Sequence, residues 1–185
     1  MEELIERLAR ARIGRTFNFY RDGRGASARR ERLCAYLTRR QDAPLLLVGE
    51  AAGYRGARVS GIPFTSERQL TGCGPAEATA TIVHLVLAEL RIEQEVLLWN
   101  VVPTHPGTET SNRRPTRAEV EAGLPFLREL ARDRRAIAVG RLAHSVLGDP
   151  YVRHPSHGGA GAFGDAMQRL SLTWGPKGSP SDPMT

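Results

Sequence analysis

Apolar positions change their period along the chain. Over residues 1–40 they recur at helical spacing. "EELIERLARAR" sets Leu4, Ile5 and Leu8 among charged residues, and "RDGRGASARRERLCAYLTRRQ" opens as a loop and becomes a second helix carrying Leu33, Tyr36 and Leu37, with Ser27 as the expected N-cap. After Pro44 the period disappears into short runs apolar at every position: "PLLLVGE", "EVLLWNVVP", "RAIAVG" and a weaker fourth, "PYVRHPS". Helix-like segments separate them: "PAEATATIVHLVLAEL", "TRAEVEAGLPFLRELARD" and "RLAHSVLG". A last helix is expected about Ala160 to Leu172. Strands without a polar face that alternate with helices predict a parallel sheet covered on both sides. The expected fold is α/β, a three-layer α/β/α sandwich around a central, mostly parallel four-stranded sheet, with residues 1–174 forming one domain. Residues 175–185, "GPKGSPSDPMT", carry no apolar periodicity and are expected to be a disordered tail.

Composition narrows the class. With 185 residues, 41% hydrophobic and 25% charged, the chain has the means to bury one full core. Its N-terminus is charged and it holds no long apolar run, so no membrane span or secretory signal is expected, and the cytoplasm is the expected location. Cys34 and Cys73 are too few for a disulfide framework, a four-cysteine zinc site or an iron–sulfur cluster, and are expected to be plain buried thiols. The net charge of +6 rests on arginine, Lys177 being the one lysine. Such an excess suits a polyanion such as nucleic acid, and equally a compositional bias towards arginine.

In open α/β sheets ligands bind beyond the carboxyl ends of the strands. Glu50 follows the first run, Asn100 closes the second and His154 closes the last, so three polar residues far apart in sequence are expected to face one crevice. The segment from Ala51 to Gly74 reads as a long glycine-rich loop, a length that is usually functional, and it carries Phe64. The segment after Asn100, "VVPTHPGTETSNRRPT", brings Asn112, Arg113 and Arg114. Each residue has a plainer role available: Glu50 as a loop charge, Asn100 as a backbone anchor, Phe64 as a core plug. His84 and His144, inside helical patterns, are structural or exposed.

The stretch "VRHPSHGG" invites a metal or nucleophile reading. His154 and His157 flank a proline in a loop, where their rings need not face one point, and zinc wants a third ligand that only His105 or Glu50 could supply. Ser156 lies outside the "GxSxG" pattern that exposes a nucleophilic serine. Neither a metal nor a cofactor is expected.

"LLLVGEAAG", "GIPF", "LLWNVVP", "SNRRPT" and "HPSHGG", in this order and spacing, resemble the motifs of the uracil-DNA glycosylase superfamily over roughly Pro44 to Phe163. The resemblance implies a pocket for an extruded base, with His154 donating a hydrogen bond to uracil O2. It also implies that Asn100 reads the N3 and O4 edge, that Phe64 stacks on the ring, and that Gly49, Ala51 and Tyr54 complete the base site. Ser156, His157, Gly158 and Gly159, with Arg113 and Arg114, are implied to hold the DNA.

The departures from the family pattern are as informative. In the best-known branch, Ala51 stands where an aspartate orients water, Ala52 where a proline stands, and Gly53 where a tyrosine excludes thymine. The iron–sulfur cysteines of another branch are missing. Water activation then falls to Glu50 or Asn112. The expected activity is that of a monofunctional hydrolase removing uracil from DNA, acting as a monomer on DNA that contains uracil or another damaged base. Open alternatives are a different base scope (hypoxanthine, xanthine or mismatched thymine), a module that binds damaged DNA with little turnover, and a small-molecule nucleotide or nucleoside hydrolase.

Overall fold

A computed structural model describes residues 1–156 and 158–173. Four parallel strands, β1 (Leu45–Ala51), β2 (Val96–Val102), β3 (Arg135–Val139) and β4 (Tyr151–Val152), form one sheet in the order β2-β1-β3-β4. Among the described residues eight helices flank it: α1 (Glu2–Arg10), α2 (Ala26–Arg39), α3 (Ala57–Ser60), α4 (Glu67–Thr71), α5 (Ala78–Glu89), α6 (Arg117–Ala131), α7 (Arg141–Leu147) and α8 (Ala160–Leu172). The expected α/β layering around a parallel sheet is what the chain adopts.

The apolar runs become strands because both of their faces are covered. Leu45, Leu46, Leu47 and Val48 of β1 and every residue of β2 are buried. On β2 lies α6, on β3 and β1 lies α7, and on β4 lies α8. Thr116 starts α6 with a capping box, its hydroxyl accepting from the Glu119 amide at 3.3 Å while the Glu119 carboxylate accepts from the Thr116 amide at 2.9 Å. Such a cap is worth about 1 kcal/mol.

Several local expectations differ from the structure. The N-cap of α2 is Gly25; Ser27 lies inside the helix, its hydroxyl on Glu31 at 2.9 Å. Residues 51–74 are not a bare loop, since α3 and α4 lie within them and α4 carries its own capping box from Ser66 and Gln69. Both helices are too short to show a 3.6-residue apolar period. Cys73 is exposed and Cys34 only partly covered, so neither is a fully buried thiol. Among the described residues no helix is long and apolar enough to cross a membrane. The expected tail lies outside the described residues.

From β1 the chain passes to β2 on one side and then to β3 on the other, so the sheet order reverses at β1. That reversal opens a crevice at the carboxyl ends of the strands.

Candidate active site

A cleft of about 940 Å³ occupies this crevice. Glu50, Asn100 and His154 all line it, together with Ala51, Phe64, Asn112, Arg113, Arg114 and Ser156. Glu50 lies within β1 and Asn100 within β2, each one or more residues short of the strand end; only His154 follows its strand.

Gly49 pairs with Asn100 in the sheet register. A side chain at position 49 would overlap the Phe64 ring and lie 2.8 Å from Asn100 Oδ1, so glycine there brings the ring and the amide side by side. Asn100 is buried, at 4% exposure, a place where a polar side chain is kept only with a partner or a ligand to read. Phe64 has φ of 52°, a left-handed conformation that is strained for a residue of its bulk. Its surroundings fix it. The Ser60 hydroxyl donates to Thr65 O at 2.6 Å and accepts from the Ile62 amide at 3.0 Å, and Thr65 Oγ1 meets His84 Nε2 at 3.1 Å. His84 is thus a structural prop of the Phe64 turn, and burial pushes its pKa down.

Glu50 is partly buried and, among the described residues, forms no salt bridge. Burial pushes its carboxyl above the usual carboxylate range, and the positive charge of Arg114 pulls it partly back. Asn112 has one function already: its Oδ1 accepts from the Tyr54 amide at 3.0 Å and anchors the loop after β1, leaving its NH₂ group as what it can offer to the cleft. Tyr54 is not part of the cleft wall; its ring lies under the Arg55 guanidinium at 5.3 Å. His105 is fully buried with Nδ1 at 2.7 Å from Ala52 O and Nε2 at 2.7 Å from Thr108 O, a clamp between the two loops and not a metal ligand. Among the described residues no three His, Cys, Asp or Glu side chains converge to hold a metal.

The turn after β4 defines His154. The Ser156 amide donates to His154 Nδ1 at 3.2 Å and the Ser156 hydroxyl lies 2.8 Å from the same nitrogen. A backbone amide can only donate, so Nδ1 is the acceptor and the neutral ring carries its proton on Nε2. Ser156 is in this way the residue that sets the His154 tautomer. Gly159 packs so close beneath this turn that a Cβ would overlap His154 O, and its amide donates to Ser156 O at 3.1 Å. With that amide engaged, Gly159 builds the turn; neither it nor Gly158 lines the cleft. His157 lies outside the described residues.

The two loop arginines are unequal. Arg113 is locked on the buried Glu119, with Nη1 and Nη2 at 2.8 and 2.7 Å from its two oxygens, so its guanidinium holds the loop rather than waiting for a phosphate. Arg114 remains exposed at the cleft beside Glu50. Arg141 and Arg153, also exposed, line the same cleft and escaped the sequence reading, although both follow strand ends, which was the available signal. Glu77 also lines it, unannounced by any pattern, from the start of α5. A flat aromatic face, a buried amide, a histidine Nε2–H, a desolvated carboxylate and a cationic rim can stack on a planar heterocycle, read its edge, stabilise a leaving anion and hold a phosphate chain.

No curated protein matches the chain in sequence. Wild-type SMUG2 of Pedobacter heparinus has a similar crystal structure, with a TM-score of 0.66 at 12% identity, covering 93% of this chain and 95% of that one. At that identity the likeness shows a shared fold. The family model of the uracil DNA glycosylase superfamily matches residues 37–175, a span that holds all four strands and the whole cleft. The chain therefore belongs to the uracil DNA glycosylase superfamily, whose members are glycosylases acting on damaged bases in DNA.

Proposed function

We propose that the protein removes uracil from DNA by hydrolysing the N-glycosidic bond, leaving an abasic site. The observation that carries this reading is the meeting of Asn100, Phe64, Glu50 and His154 in one cleft, with the His154 proton directed to Nε2 by Ser156. An extruded base stacks on Phe64. The Asn100 amide accepts from uracil N3–H and donates to O4, a pairing that cytosine, with a donor at N4, does not match. Breakage of the C1′–N1 bond leaves the electron pair on the base and positive charge on the sugar. His154 Nε2–H stabilises the anion at O2 more than the neutral ground state, which lowers the barrier. Glu50, as carboxylate, stabilises the cationic sugar, orients the water whose oxygen bonds to C1′ and accepts the proton that this water loses. Asn112 helps position that water through its NH₂ group. Arg114, Arg141 and Arg153 receive phosphates.

The test is incubation with single- and double-stranded oligonucleotides carrying uracil, hypoxanthine, xanthine or mismatched thymine, followed by alkaline cleavage. Cleavage at uracil is expected, and His154→Ala is expected to slow it by about 10² to 10³. Cleavage only at another base would move the reading to a different scope. No cleavage with retained binding would make the protein a binding module.

A further inference from the structure

Tyr151 lines the cleft and has no part in the mechanism above. It opens β4 and is 39% exposed, while Val152 beside it is buried and belongs to the core. Side chains alternate along an extended chain, so Arg153 turns out again on the side of Tyr151 and is exposed with it. Val152 pairs with Val139, and its carbonyl accepts from the Gly140 amide at 3.0 Å. The two segments therefore leave the sheet side by side, one into Arg141 and the other into Arg153, and both arginines line the cleft with Tyr151. The ring is held by a neighbour: His144 of α7 lies against it, with ring centroids 4.9 Å apart and planes at 46°. Tyr151 is no part of the hydrophobic core, and among the described residues its hydroxyl has no hydrogen-bond partner. A large aromatic ring stands at the rim of the cleft, between two cations, without serving the packing of the fold.

We propose that Tyr151, held by His144 and flanked by Arg141 and Arg153, is a stacking subsite for an unpaired base next in the strand to the nucleotide that enters the pocket. The inference rests on the reading of the cleft as a DNA site. A phosphate chain drawn to Arg141 and Arg153 brings a base to the ring between them. Every base has a π-face, so such a subsite takes any of the four, and the nearby guanidinium groups add to the attraction. In a duplex the same base is already paired and stacked on its neighbours. The ring can then take it only where the strands part, so the contact favours a single strand or an opened one.

The probe is a single-stranded oligonucleotide with 2′-fluoro-2′-deoxyuridine, which resists cleavage, at its centre, together with versions in which the nucleotide on its 5′ or its 3′ side is a tetrahydrofuran abasic residue. Binding is measured for the wild-type, Tyr151→Ala, Tyr151→Phe and Tyr151→Trp proteins. Tyr151→Ala is expected to bind the intact strand about tenfold more weakly, while Tyr151→Phe and Tyr151→Trp, which keep a π-face, stay within about threefold. Removing the base on one side is expected to weaken the wild type by a like factor and to leave Tyr151→Ala unmoved, because ring and base are the two halves of one contact. An unchanged affinity in Tyr151→Ala, a loss as large in Tyr151→Phe, or equal abasic losses in both proteins on both sides overturns the proposal. On the fully paired duplex Tyr151→Ala is expected to cost less than about threefold, and a loss as large as on the single strand overturns the need for an unpaired base. Thymidine in place of the central analogue separates the two readings. Coupling of Tyr151 to its neighbour with no preference for the central base keeps the subsite and sinks the uracil reading; preference without coupling sinks the subsite alone; binding to none of the strands sinks both. Thermal melts of each variant confirm a folded protein.

Discussion

In the proposed mechanism Glu50 serves chemistry against stability. Its carboxyl is desolvated, which raises its pKa, and Arg114 offsets only part of that effect. A carboxyl whose folded pKa lies above its unfolded value contributes stability below the unfolded pKa and loses it as pH rises through the folded one. At neutral pH the ionised Glu50 therefore works against folding. Glu50→Gln is expected to raise the melting temperature at pH 7, to lose that advantage near pH 4, and to slow single-turnover excision with little change in DNA affinity. Unchanged single-turnover excision would remove Glu50 from the chemistry and leave Asn112 to place the water. A lowered melting temperature at pH 7 would mean that the carboxylate anchors the loop. The sequence made Glu50, Asn100 and His154 legible because strand ends converge in this architecture. It could not show that Asn112 is tied to Tyr54, or that Arg113 is bound to Glu119, because both bonds join residues whose mutual placement only the folded loops determine.

Elements, not residues, decide how the loop between β2 and α6 is held. Glu119 is one helical turn into α6 and 1% exposed, and its carboxylate receives Arg113, the Thr116 amide and, at 3.2 Å, the Arg15 amide. The hydrogen bond from Arg113 is the largest cause that holds its pKa down, at about 2. One carboxylate joins the helix start, the cleft loop and the segment after α1. Its folded pKa is depressed, so the stability it gives is present above the unfolded value and lost as pH falls through the folded one. With an ordinary glutamate near 4.5 in the unfolded chain, this amounts to about 3 kcal/mol, lost between about pH 4.5 and pH 2. Glu119→Gln is expected to melt well below wild type at pH 7, with the gap closing as pH falls through that window. A gap that stays constant with pH would show that packing, not the charge, sets the contribution. The sequence displayed the helical segment that begins at Thr116, because its apolar period is local. Arg15 and Arg113 were hidden, because neither is placed by the period of any helix. The turn from Ser60 to Thr65 was hidden for the same reason: its strain at Phe64 is balanced by Ser60 and by His84, which comes from α5.

For the whole molecule the question is whether a net charge of +6 means a polymer partner or a compositional habit. Distribution decides where the total does not. Many arginines serve the fold: Arg29 donates to Phe19 O at 2.7 Å, Arg32 is bidentate on Glu67, and Arg113 is on Glu119. Among the described residues Arg114, Arg141 and Arg153 form no salt bridge; they are exposed and share the cleft, two of them at the ends of β3 and β4 and one after β2. Phosphates neutralised by these three would release counterions, so the logarithm of DNA affinity is expected to fall against the logarithm of salt with a slope of about 2 to 3, at 0.7 to 0.9 per contact. Replacing Arg153 or Arg141 by Ala should reduce the slope by roughly one unit each. Arg10→Ala, on α1 and outside the cleft wall, should leave it where it was, although the net charge changes equally. Equal effects from all three substitutions would mean that only total charge attracts DNA. A flat salt response would mean that the cleft takes a small molecule, and the arginine excess would then be composition alone.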